Sequence, residues 1–196
     1  ILPGKYESYF QDTKATALLT NNNFKLDRNN KTLIRVENPA LSFIDIIHMF
    51  YPENQNYGTI HPSAVVSKNV KLGTNVEIAP HAVINNGVKI GSSVRIGAGS
   101  FIGSKTEIGN GTSIGANVSI YHDITIGKNC IIDSGTVIGA DGFGLIKDNN
   151  IHYKIPHIGS VSIGNNVWIG SNCSIDRGTL INTKIGSGSK LDNLIH

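Results

Sequence analysis

The segment "IGAGSFIGSKTEIGNGTSIGANVSI" (Ile96–Ile120) places isoleucine at every sixth residue. The same step runs outward through Ile90, Ile84, Ile78, Leu72, Val66 and Ile60 on one side and Ile126, Ile132 and Ile138 on the other. Fourteen aliphatic residues therefore keep one period without an insertion. Four residues after each comes a second small or branched residue, as at Ala64, Val76, Thr106, Val118, Cys130 and Thr136. A helix of 3.6 residues per turn cannot keep a six-residue step on one face, whereas a short strand followed by a tight corner can. The pattern predicts a parallel β-helix with three hexads, eighteen residues, to each coil. Glycine directly after the aliphatic residue, as in "IGSSVR", "IGSKTE" and "IGNGTS", reads as the source of the conformational freedom that corners need.

Residues eighteen apart then stack on one face. The position just after the small residue gives three columns. Two of them carry charge, at Lys71, Lys89 and Glu107 and at Glu77 and Arg95, so this position points outward. The third column holds Val65, Val83, Phe101, Ser119 and Val137. An outward apolar stripe on one face of a prism is the mark of a subunit interface, and contacts repeated about one axis suit a cyclic oligomer.

Composition excludes several classes. With 39% hydrophobic and 16% charged residues, 22 glycines and a net charge of +3, the chain reads as a turn-rich globular protein. No run of Lys and Arg with interleaved aromatics points to nucleic acid. No apolar run approaches the roughly 20 residues that span a bilayer, and no signal-peptide pattern opens the chain, so a cytoplasmic protein without a transmembrane segment is expected. Cys130 and Cys173 sit where the array puts small interior residues. They read as core rather than as a disulfide or metal ligands.

Residues 1–59 have a different texture and predict a small, incomplete α/β domain ending in a linker, Tyr51–Thr59. "KATALLT" (Lys14–Thr20) and "KTLIRVE" (Lys31–Glu37) read as strands. "NPALSFIDIIHMF" reads as a helix with Asn38 as N-cap, Pro39 at the first helical position, and Leu41, Ile44, Ile47 and Phe50 along one apolar face. Residues 60–196 form the β-helix domain.

The period fails once inside that domain, after Ile138, and returns at Ile163, Ile169 and Ile175. Residues 139–160 thus predict a loop thrown out from the solenoid, and loops on a rigid scaffold often carry function. A second irregularity lies between Ile175 and Ile185, where ten residues stand in place of the twelve of two hexads.

The segments around these breaks carry a resemblance. "IYHDITIGKNCIIDSGTVIGADGFG" (Ile120–Gly144), "KIPHIGSVSIGNNVWIG" (Lys154–Gly170), "IDRG" (Ile175–Gly178) and "KIGSGSKLDN" (Lys184–Asn193) resemble the UDP-3-O-acylglucosamine N-acyltransferases of lipid A biosynthesis in Gram-negative bacteria. "KYESYFQDTKATALL" (Lys5–Leu19) is similar to that family's N-terminal nucleotide-binding domain, so the resemblance covers nearly the whole chain. It implies a mainly β fold whose solenoid is a left-handed parallel β-helix, although parallel crossovers are otherwise almost always right-handed. It also implies a homotrimer with active sites between neighbours, its interface including Val65, Val83, Phe101 and Val137. The reaction implied moves a 3-hydroxyacyl chain from acyl carrier protein to the 2-amino group of UDP-3-O-acylglucosamine. No metal and no cofactor beyond the carrier's phosphopantetheine thioester are implied.

The family's general base is a histidine in a pattern like D-N-x-x-x-I-A-H. Asp192 and Asn193 match its start, so Asp192 is the expected carboxylate that orients the imidazole. The base itself would lie beyond His196, which occupies a variable position. The chain therefore reads as a fragment lacking both ends of a longer protein, inactive alone. Tyr6 aligns with a tyrosine that stacks on uracil, although Pro3 and Gly4 replace the family's usual Asn-Pro. Asp141, Phe143 and Asn193 are the remaining substrate-site candidates. His157 stands where glutamine is common, and Asp176 and Arg177 of "IDRG" read as a corner ion pair.

Other readings fit the residues less well. A zinc enzyme on this fold needs three converging histidines, but His61, His81 and His122 occupy different places in their hexads. The O-acyltransferase acting on UDP-N-acetylglucosamine in the same pathway shares the repeat but lacks the N-terminal domain and the "GADGFG" loop. A non-catalytic nucleotide-binding or scaffolding trimer would keep the solenoid without the chemistry. The apolar column predicts that the intact gene product runs as a cyclic oligomer in light scattering, a trimer if the resemblance holds. A monomer would overturn the assignment of that column to an interface.

Overall fold

The computed structural model describes residues 9, 12–24, 31–52 and 58–196. The chain divides into two compact units, Ile1–Gln55 and Asn56–His196. In the first, β1 (Ala17–Asn21) and β2 (Thr32–Val36) pair in parallel, and α1 (Pro39–Phe50) follows. Asn38 caps α1 as expected, its side chain accepting from the amides of Ala40 and Leu41. The expected apolar face is not covered: Leu41, Ile44, Ile47 and Phe50 are all exposed. The two strands and one helix among the described residues do not bury it. The central residues of the expected linker, 53–57, lie outside the described residues.

The second unit is a left-handed parallel β-helix built as three six-stranded parallel sheets. Register is as the six-residue step requires. Val65 pairs with Val83 and Val83 with Phe101 on the first face, Lys71 with Lys89 on the second, and Glu77 with Arg95 on the third. The aliphatic residues of the repeat point inward: Ile78, Ile84, Ile96, Ile102, Ile114, Ile120, Ile126, Ile132, Ile138 and Ile169 are all nearly inaccessible. The companion residues are buried too, and four of them are hydroxyl-bearing. Thr112 Oγ1 donates to the Gly127 carbonyl at 2.9 Å and accepts from the Cys130 amide at 3.1 Å. Thr106, Thr136 and Ser100 do the same in their own coils. These hydroxyls are affordable inside because both their hydrogen-bonding roles are met. Cys130 and Cys173 are free and buried, each thiol directed to a carbonyl of the next coil.

The corners work differently from the reading of their glycines. From Leu72 to Ile132 the left-handed backbone falls three residues after the aliphatic, at Asn75, His81, Gly87, Ser93, Gly99, Lys105, Gly111, Asn117, Asp123, Asn129 and Gly135. The glycine directly after the aliphatic has ordinary φ in the regular coils. It is needed because the next coil passes too close for a Cβ. On Gly103 a Cβ would lie 2.5 Å from the Tyr121 carbonyl carbon and 2.6 Å from the His122 amide nitrogen.

Both irregularities occur at the same corner, between the first and second faces. Coils are normally offset by 18 residues, but Lys128 meets Asn165 across 37, so the first break inserts 19 residues beyond one coil. The second is also an insertion, of four residues, and not the shortening that ten residues against twelve suggested. Ile185 pairs with Ile163 on the second face, and the offset there is 22.

Opposite effects are expected at the two corner positions. Gly103→Ala should lower stability by about 1–3 kcal/mol, because the backbone beneath cannot yield. Lys105→Gly should raise the denaturation midpoint by removing a side chain from the left-handed region. Chemical denaturation of the two variants checks both signs.

Candidate active site

Two regions of the second unit gather the side chains that the sequence singles out. The first is the root of the 19-residue insertion. The strand Val137–Asp141 bulges after Ile138, where Gly139 takes φ 88 and a Cβ would meet Ile124 Cδ1 at 2.6 Å and Tyr121 Cβ at 3.2 Å. Only glycine lets the chain leave here. The insertion folds into an antiparallel hairpin of Leu145–Asp148 and Ile151–Lys154. Asn149 and Asn150, both with positive φ, make its tight turn. Ile146 pairs with Tyr153 on one face of the hairpin and Lys147 with His152 on the other.

At the root, Lys154 Nζ lies 2.6 Å from Asp141 Oδ2. This hydrogen bond is the chief cause that holds the exposed Asp141 carboxyl below the usual aspartate value; desolvation opposes it, and the charges of Lys154, His157 and Arg177 add to the lowering. His157 Nδ1 is 2.8 Å from the Ile155 carbonyl, which can only accept, so Nδ1 carries the proton. The imidazole lies on Gly142 and Gly144, where a Cβ on either would come within 3.1 Å of the ring. The two later glycines of "GADGFG" are thus seats for His157. Phe143 between them is 94% exposed.

Arg177 differs most from its reading. It forms no ion pair with Asp176. Neighbours in a strand point to opposite faces, and in Ser174–Arg177 it is Arg177 that turns inward, to 5% exposure. Its guanidinium donates to three backbone carbonyls: Gly139 at 2.7 Å, His122 at 2.9 Å and Gly159 at 3.4 Å.

The second region is a groove of about 580 Å³ near the C-terminal end of the described chain, lined by Asp133, Trp168, Gly170, Lys190, Leu191, Asp192 and Asn193. Trp168 Nε1 donates to Asp133 Oδ2 at 3.0 Å, a contact the sequence did not suggest. Asp192 is exposed, and its Oδ1 accepts from the Asn193 amide at 2.8 Å. Asn193 Oδ1 accepts from the Ser171 amide at 2.7 Å, repeating the Asn110–Ser92 and Asn165–Lys128 bonds of earlier coils. Its amide is thereby occupied in stacking the corner. The structure thus places Asp192 with Asn193, and Asp141 with His157 and Arg177, but on different corners of one chain; both corners border the first face. Tyr6, Pro3 and Gly4 lie outside the described residues. Among the described residues no cluster of His, Cys, Asp and Glu could hold a metal ion. No helix among them is long and apolar enough to cross a membrane.

Comparison with known proteins places this geometry. The model of the bacterial transferase hexapeptide (six repeats) matches residues 105–140, and that of the hexapeptide repeat of succinyl-transferase matches 160–193, on either side of the insertion. A protein of Marinomonas sp. named UDP-3-O-acylglucosamine N-acyltransferase is 46% identical over 95% of this chain and 54% of its own length. Proteins of the same name from Pseudomonas syringae pv. tomato and Coxiella burnetii are 40% and 41% identical, over 98% and 97% of this chain and 54% and 56% of theirs. The chain belongs to the UDP-3-O-acylglucosamine N-acyltransferase family.

It spans about half the length of these relatives. Among solved structures, an Arabidopsis UDP-N-acetylglucosamine acyltransferase is similar over 70% of this chain and 49% of its own, with TM-score 0.60 and 27% identity. The acetyltransferase domain of PglB from Neisseria gonorrhoeae shares the fold at TM-score 0.52 and 15% identity, over 86% and 70% of the two chains. The N-acyltransferase match extends through the first unit as well as the solenoid.

Lys154→Met should return the Asp141 carboxyl toward the ordinary aspartate value. A carboxyl held low in the folded state adds stability that is present above its unfolded pKa and fades as pH falls through the folded one. The variant should therefore lose most of the acid-side pH dependence contributed by Asp141, as read by carbon NMR titration of that carboxyl. An unmoved titration would show that Lys154 does not set it.

Proposed function

We propose that the protein containing this chain is a cytoplasmic acyltransferase of lipid A biosynthesis, moving a 3-hydroxyacyl chain from acyl carrier protein to the 2-amino group of UDP-3-O-acylglucosamine. The observation that carries this reading is the 40–46% identity to proteins of that name across 95–98% of the chain, N-terminal unit included. In the reaction the thioester C–S bond breaks and an amide C–N bond forms. The amine gives up a proton as it attacks, and the carrier leaves as a thiol. The phosphopantetheine thioester is the acyl donor, and no other cofactor takes part.

Asp192 orients a histidine base and stabilises its charged form, the role a carboxylate plays beside any imidazole that must gain a proton. Its exposure, and the single bond to its own neighbour's amide, support a carboxylate free to take such a partner. Tyr6 stacks on uracil, while Asp141 and Phe143 shape the acceptor end. Asn193 supports the corner that carries Asp192, which fits its bond to Ser171 better than a direct substrate contact.

A trimer joins what one chain keeps apart. The column Val65, Val83, Phe101 and Val137 lies in register on the first face, with Val65 60% and Phe101 40% exposed. The hairpin corner and the Asp192 corner both border that face. Packing it about a threefold axis brings the hairpin of one subunit toward the Asp192 corner of the next.

The test is mass spectrometry of the intact gene product with 3-hydroxyacyl carrier protein and either UDP-3-O-acylglucosamine or UDP-N-acetylglucosamine. An amide from the first acceptor alone is expected. An ester from the second alone would assign the O-acylation step, and no product from either would leave a nucleotide-binding scaffold. Asp192→Asn should lower kcat by on the order of 10²–10⁴-fold with unchanged folding, since only one local bond involves its side chain.

A further inference from the structure

The hydrogen-bond register of the corners shows what Arg177 replaces. At this corner the residue two after the aliphatic offers its carbonyl to an amide of the next coil. Asn86 O accepts from Lys105 N at 3.0 Å, and Ser104 O accepts from Asp123 N at 2.9 Å. The next acceptor in the series is His122 O, and its donor would be the amide of residue 141. The strand bulges after Ile138, however, and Asp141 pairs with Arg177 instead. The place of that amide is taken by Arg177 Nη2, at 2.9 Å, reaching from the coil above.

The same guanidinium holds the two ends of the excursion, Gly139 O where the chain departs and Gly159 O where it returns. A second side chain ties the same corner: Ser160 Oγ donates to Asp123 O, the carbonyl next to that of His122. A buried cation is costly unless its donors are met, and here three carbonyls on three backbone segments meet them. A lysine ammonium, a single point on a flexible stem, cannot span the same three with a fixed fork.

We infer that Arg177 is a positioning residue: it fixes the root of the 139–160 excursion and so the placement of Asp141, Phe143 and His157 toward the acceptor substrate. This rests on the acyltransferase reading above for the identity of the acceptor, while the anchoring itself does not.

The test uses the intact gene product with Arg177→Met and Arg177→Lys, together with Ser160→Ala, which leaves the guanidinium in place. In Arg177→Met, amide exchange at Gly144, Ile155, Ile158 and Gly159 should rise by at least about tenfold, while Gly103, Gly109 and Gly115 in the regular coils keep their rates. The acceptor KM should rise about tenfold with kcat within about twofold, and Arg177→Lys should fall between wild type and Arg177→Met. A folded Arg177→Met with unchanged acceptor KM would overturn the proposal, whether or not exchange rises, because a purely structural role predicts that result. If Arg177→Met does not fold, the lysine and Ser160→Ala variants decide by the same two readouts. Absence of transfer by the unsubstituted protein would count against the functional reading alone. Exchange would then judge the anchoring, and unchanged rates at the root would overturn it.

Discussion

Every coil of the solenoid must present its backbone N–H groups to the carbonyls of the coil beside it, and the rest of the structure follows from keeping that ladder whole. A chain that returns to the same place after eighteen residues can do so with two-residue strands and three corners. The interior is then narrow, with little room for a second large side chain in each step. Isoleucine therefore alternates mostly with the smaller Ala, Val, Thr, Cys or Ser, Ile124 being the exception, and the hydroxyls among them bond to backbone on both sides. The close approach of successive corners excludes a Cβ at Gly103 and its counterparts, while the left-handed position two residues later goes to Asn, Asp or Gly in most coils.

The insertion is informative because it breaks this ladder in the middle of a rigid array. The coil from which the chain departs leaves the His122 carbonyl without the amide that its counterparts have. The molecule meets it with a side chain instead, Arg177, and Ser160 adds a further tie at Asp123. The four-residue insertion one coil later falls on the same corner. There Thr179 O accepts from the Ile158 amide and Gly178 O from the Gly159 amide, so the two excursions support each other. This corner is the least regular part of the solenoid and the most elaborately tied.

Much of this was legible in the sequence. The period of six gave the coil length, the outward columns and the buried face without ambiguity, because a repeat enforces its own register. The Asn38 cap was legible because its signal is local. The register beyond Ile138 was not, since counting hexads cannot tell a shortened pair of steps from a single step with four residues added; only the pairing of Ile185 with Ile163 decides. Arg177 was misread because adjacent opposite charges suggest a pair, whereas strand alternation sends Asp176 and Arg177 to opposite sides. The glycines were assigned the right importance for the wrong reason. Family resemblance supplied the chemistry at Asp192, and the geometry added that the matching asparagine, Asn193, is a corner support.

The claim on which this account turns is that the tied corner and the Asp192 corner are the two halves of one acceptor site. Hydrogen–deuterium exchange of the intact protein, with and without UDP-3-O-acylglucosamine, tests it most directly. Protection is expected in residues 139–160 and around 190–193, with the coils from 66 to 114 unchanged. Protection confined to those regular coils, with the hairpin and the Asp192 corner unaffected, would contradict it.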